Sequence, residues 1–122
     1  MRNKCFYEKV SEISVWRRFR EAACILCVGS GSLNERVYRA FYDATIFHLN
    51  YENFDDKYFR DTLKRISDIV HSGMPKLSLP SGVCVDVKRL NLHWKKAKYV
   101  AESILDLYEY LTKIQIKQHE IY

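Results

Sequence analysis

From residue 4 to residue 28, apolar side chains recur every three or four positions: Phe6, Val10, Ile13, Trp16, Phe19, Ala23 and Cys27. That spacing lays one apolar stripe along a helix, and the sequence predicts a first helix over 4–28. Gly29-Ser30-Gly31 ends it, since glycine takes the left-handed conformation that closes many helix C-termini. Ser32-Leu33-Asn34-Glu35 then has the form of a capping box, in which serine and glutamate satisfy each other's free amides, so a second helix is expected over 33–50. Its wide apolar face is Leu33, Val37, Tyr38, Phe41, Ala44, Ile46, His48 and Leu49, with Arg36, Arg39 and Asp43 on the other side.

Asn53-Phe54-Asp55-Asp56 offers a polar start with acids that complement the positive end of a helix. A third, shorter helix is predicted over 56–71, with Phe59, Leu63, Ile66, Ile69 and Val70 as its stripe and Gly73 and Pro75 beyond it. The stretch 72–85 lacks helical periodicity and holds both prolines, two glycines and several serines, so it reads as an irregular loop. Asp86 would cap a last helix over 87–117, carried by Val87, Leu90, Trp94, Ala97, Ala101, Ile104, Leu105, Tyr108, Leu111 and Ile114. Some thirty residues at 1.5 Å each give about 45 Å, longer than the other helices can cover, and a second subunit would cover the excess. The expected fold is an all-α, antiparallel bundle of about four helices forming a single domain over 1–122.

Composition adds little to the fold and more to the choice of partner. The chain has 122 residues, enough for one core without cross-links. A net charge of +5 permits a polyanionic partner without demanding one, because acids alternate with bases through most of the chain. No apolar run approaches the ~20 residues of a membrane span, and the N-terminus lacks the apolar stretch of a secretory signal. Cys24 and Cys27, one turn apart on the first helical stripe, read as small buried hydrophobes in a reducing, cytoplasmic setting. A zinc site of Cys24, Cys27, Cys84 and His93 would need a turn between the first pair, so neither metal nor cofactor is expected.

Two groups of residues could carry nucleic-acid binding. Arg17, Arg18 and Arg20 alternate with Trp16 and Phe19, and Arg89, Lys95, Lys96 and Lys98 surround Trp94 and Tyr99; such mixtures serve phosphates with the cations and bases with the rings. The same pattern also arises wherever an amphipathic helix turns its rings inward and its charges outward.

Catalytic signatures of compact type, such as a phosphate-cradling glycine loop or a His-Glu-x-x-His pair, do not occur in the chain. One arginine and one histidine stand out, in Arg65-Ile66-Ser67-Asp68-Ile69-Val70-His71, just before the loop. A helical bundle carrying arginine, four to six residues and then histidine resembles the HEPN family of nucleic-acid-linked domains. The segment from Arg36 to Ala44 is similar to the Arg-Ala-Tyr-Tyr-Ala helix of many members, and the last helix from Ala97 to Tyr108 is similar in style.

The resemblance implies two functions. In HEPN ribonucleases, arginine and histidine from two subunits line a dimer cleft, where the RNA 2′-hydroxyl attacks the adjacent phosphate without metal. By that likeness Arg65 would neutralise the phosphate and His71 would move a proton. Other members lack catalysis and serve as binding or dimerisation modules. This chain departs from the catalytic pattern in having Ile66 where a polar residue commonly follows the arginine, and in placing the pair far from the C-terminus. The expectation is therefore a homodimeric module of a prokaryotic defence, toxin-antitoxin or mobile-element system, binding RNA or a partner protein. The alternatives are a metal-independent ribonuclease using Arg65 and His71, and a helical adaptor or inhibitor with no nucleic-acid role.

Overall fold

The structure, a computed structural model, describes residues 9–74 and 90–119. These residues form four α-helices, α1 (Ile13–Val28), α2 (Leu33–Tyr42), α3 (Lys57–Ser72) and α4 (Trp94–Gln118), with two 3₁₀ turns at Ile46–His48 and Tyr51–Asn53. The all-α bundle expected from periodicity is what is found, and no strand occurs among the described residues.

Side-chain contacts give the helix directions. Trp16 meets Thr112 and Ser11 meets Gln115, so α1 runs opposite to α4. Asn34 meets Leu92, so α2 and α4 start at the same end. Asp56 pairs with Tyr110 and Arg65 with Tyr99, so α3 also runs opposite to α4. The result is an up-down-up-down arrangement in which α4 packs against each of the other three helices. Phe19, Phe41, Phe54 and Phe59 are fully buried, each contributing roughly 1.5–3 kcal/mol of apolar transfer energy. Phe59 packs edge-on to both Phe19 and Phe54 at centroid distances of 5.7 and 4.7 Å, joining α1 and α3 through the core.

Several boundaries differ from the periodic reading, each for a local reason. The first helix begins at Ile13; residues 10–12 form a turn, and the Ser11 carbonyl accepts from Gln115 Nε2 at 2.6 Å. Residues 4–8 lie outside the described residues. The buried stripe of α1 is Val15, Phe19, Ala22, Ala23 and Leu26, which leaves Cys24 and Cys27 exposed. The stop at Val28 is as expected, but Gly29 is extended, and Gly31, with φ of 99°, takes the glycine-only conformation. The capping box forms as predicted: the Glu35 N–H donates to Ser32 Oγ at 3.2 Å and the Ser32 N–H to Glu35 Oε1 at 2.8 Å.

The second helix ends at Tyr42 instead of residue 50. Thr45 has φ of 61°, a left-handed conformation costly for a β-branched residue. Arg18 holds that turn by donating from Nη1 to the Thr45 carbonyl at 3.2 Å. Arg36 and Arg39 do not face solvent alone: they reach back to the end of α1, to the carbonyls of Leu26 at 3.0 Å and of Ser30.

The third helix matches its predicted span, with Asp56 Oδ1 accepting from the Phe59 N–H at 2.9 Å as N-cap. It equals α1 in length and exceeds α2, so it is not the short element expected. The last helix starts at Trp94, not near 87. Leu90 and Leu92 are buried while Asn91 is exposed, a period of two that places both leucines beside Gly73. The cap is His93; Asp86 and the loop from 75 to 85 lie outside the described residues. Buried positions recur from Ala97 to Gln115, so the core-facing stripe of α4 is covered over most of its length by the other three helices. No helix among the described residues is long and apolar enough to cross a membrane.

Candidate nucleic-acid interface

The two basic groups that looked alike in sequence are used differently. On α1, Trp16 is half-buried against α4: its Nε1 donates to Thr112 Oγ1 at 2.9 Å and its ring stacks on Tyr108 at 6.3 Å. The Arg20 guanidinium lies 5.1 Å from that ring, and Arg18 anchors the Thr45 turn. Arg17 alone of the three is exposed without such a role. The inward-ring reading therefore describes α1.

At the start of α4 the ring points outward. Trp94 is 60% exposed although it falls on the periodic apolar pattern, because it occupies the first helical position, above the edge of the core. The Lys95 ammonium is 5.8 Å from the Trp94 ring centroid, and the His93 ring stacks beside it at 6.0 Å. Lys98 lies one turn on from Trp94, on the same flank. Lys96 stands on the opposite flank of the first turn, and all three lysines are exposed. Arg89 lies outside the described residues.

Helix electrostatics run against this arrangement. The N-terminal end of a helix carries partial positive charge, where carboxylates stabilise and cations cost a few tenths of a kcal/mol each. The first turn of α4 holds no acid. Among the described residues the ion pairs lie on α3, at Lys57–Asp61, Arg60–Asp61 and Lys64–Asp68; Lys95, Lys96 and Lys98 take part in none. Beyond Lys98 the outer face of α4 becomes acidic at Glu102, Asp106 and Glu109, which confines the basic patch to the helix start. Cations placed against the dipole around an exposed indole form a surface suited to phosphates and a stacked base.

Arg65, at the middle of α3, and His71, in its last turn, are both exposed. Six residues along a helix is a rotation of about 240°, and the two side chains accordingly meet different neighbours. Arg65 Nη1 donates to the Tyr99 hydroxyl on α4 at 3.0 Å, which holds the guanidinium above its usual pKa, while His71 lies edge-on to Phe41 of α2 at 6.4 Å. Within one chain they do not share a cleft. Among the described residues no group of three or more His, Cys, Asp or Glu side chains is placed to hold a metal ion.

Sequence reasoning missed a further surface. Tyr38, Tyr42, Phe47 and His48 form a continuous run of rings at centroid distances of 4.8, 5.0 and 4.0 Å, with Phe47 42% exposed. The run exists because α2 breaks at Thr45 and folds Phe47 back onto Tyr42. Beside Tyr38 is a cleft of about 280 Å³ lined also by Ser30, Gly31, Glu35, Arg39 and Asp43. The pattern read as one unbroken helix could not reveal either feature.

No family model, curated protein or solved structure matches the chain.

Proposed function

We propose that this protein is a HEPN-like helical module that binds nucleic acid, RNA in particular, through the start of α4. The observation that carries this reading is Trp94, exposed beside Lys95 and one turn before Lys98, with Lys96 on the other flank, at a helix end where stability alone favours acids. Cations placed against the local electrostatics are accounted for by an anionic ligand that offsets the cost. The sequence resemblance supports the same class and adds its setting: a cytoplasmic homodimer of a prokaryotic defence, toxin-antitoxin or mobile-element system. Binding is preferred to cleavage because Ile66 stands where a polar residue commonly follows the catalytic arginine, and because Arg65 and His71 meet different neighbours, Tyr99 and Phe41.

The test is a titration of fluorescently labelled single-stranded RNA, followed by anisotropy at two salt concentrations. Affinity should fall with salt, with a logarithmic slope of about −0.7 per lysine engaged. Trp94→Ala should weaken binding about tenfold, in line with the roughly 1–3 kcal/mol of a base-aromatic stack. The triple change of Lys95, Lys96 and Lys98 to alanine should flatten the salt dependence. Absence of binding, or binding that these variants leave unchanged, overturns the proposal and favours a protein-binding adaptor. RNA cleavage in chelator that His71→Ala abolishes would replace it with the ribonuclease reading.

A further inference from the structure

Cysteine is among the residue types most often buried, yet Cys24 and Cys27 are both exposed and free. They stand three residues apart in a helix that runs unbroken from Ile13 to Val28, so both thiols occupy one flank, a single turn apart. The core contacts of this turn are made by Ala22, Ala23 and Leu26, leaving the thiol flank open. Arg20 lies one turn before Cys24 on that flank, and Val28, 83% exposed, follows Cys27.

Helix geometry decides what the pair can do. Side-chain Cβ atoms at i and i+3 are about 5–6 Å apart, whereas a disulfide requires about 3.5–4.5 Å. A direct sulfur-sulfur bond would distort the last turn of α1, the turn that receives Arg36 at the Leu26 carbonyl and Gly29 at the Ile25 carbonyl. A single bridging atom removes the mismatch. Two metal-thiolate bonds in line set the sulfurs well beyond the roughly 2.0 Å of a disulfide, and Cβ atoms leaning outward from them lie farther apart again, toward the helical spacing. Two soft donors in line suit monovalent d¹⁰ ions of the copper(I) class. Zinc would need four ligands, and no cluster of three or more among the described residues supplies them.

We infer that Cys24 and Cys27 form a two-coordinate dithiolate site for a soft monovalent cation. On binding copper(I), each thiol releases its proton to solvent, two S–Cu bonds form, and the copper remains in the +1 state. The site passes from neutral to one negative charge, exposed to solvent on the flank of α1.

The experiment is anaerobic titration of the intact chain with copper(I) against a chromophoric competitor, beside the Cys24→Ser/Cys27→Ser double variant and a Cys5→Ser/Cys84→Ser variant. The double variant should lose one tightly held equivalent, and the Cys5/Cys84 variant should keep it. The loaded protein should show two sulfur neighbours by X-ray absorption, with helicity unchanged by circular dichroism. Three sulfur neighbours, loss of helix on loading, copper-driven dimerisation, or an unchanged stoichiometry in the Cys24/Cys27 variant would each overturn the inference. Since exposed serine replaces exposed cysteine, the double variant should fold normally, which the same circular dichroism measurement checks.

Discussion

Asn34 binds both main-chain polar groups of Leu92: its Nδ2 donates to the Leu92 carbonyl and its Oδ1 accepts from the Leu92 N–H, each at 3.0 Å. The amide side chain thus takes the place of a neighbouring strand for the short extended stretch before α4. It joins the first turn of α2 to the residues that set where Trp94 and its lysines begin.

Asn34→Ala should leave the two Leu92 groups without partners in a partly buried site and destabilise the fold by about 1–3 kcal/mol. Asn34→Asp should be at least as damaging, because it removes the donor and brings a carboxylate toward a carbonyl. Urea unfolding followed by circular dichroism measures both. If the interface is as proposed, RNA affinity should fall in Asn34→Ala under conditions where the protein remains folded.

His93 caps α4 by accepting the Lys95 N–H on Nδ1 at 3.2 Å, a task that aspartate performs better. His93→Asp should raise stability by about 0.5–1 kcal/mol, combining a stronger cap with a charge that suits the dipole and the lysines. The same change should lower RNA affinity by placing a carboxylate in the basic patch. A higher urea midpoint with weaker binding is the expected pair of results.

The Tyr110 hydroxyl donates to Asp56 Oδ2, and this bond, together with burial and the carboxylate charge, pushes the phenol pKa up to about 12. A folded-state value above the ordinary 10.0 contributes stability that is fully present below pH 10 and is lost as pH rises through 12. Tyr110→Phe should cost about 0.5–1.5 kcal/mol at neutral pH and remove that alkaline loss. Asp56→Asn should keep the α3 cap while returning the phenol toward its ordinary value, which ultraviolet titration of tyrosine ionisation reads directly.

The sequence by itself determined the parts of this protein that depend on near neighbours. The stripe of α3, that of α2 as far as Phe41, the capping box of Ser32 and Glu35, the polar start before α3 and the stop at Val28 all rest on contacts within a few residues, where periodicity and capping chemistry are reliable guides. The candidate site was legible as a set of lysines around Trp94, but its meaning was not. Trp16 and Trp94 carry the same local pattern, but the packing of α1 on α4 half-buries Trp16, whereas Trp94 stands exposed at the first position of α4.

Tertiary structure decided the rest, because it involves partners far along the chain. Gln115 takes the Ser11 carbonyl and α1 starts late; Arg18 holds Thr45 in a left-handed turn and α2 ends early; Gly73 receives Leu90 and Leu92 and α4 begins at Trp94. The one-residue shift of the α1 stripe that exposed Cys24 and Cys27 has the same origin. An apolar pattern states which residues can be buried, whereas the packing of one helix on another selects which of them are.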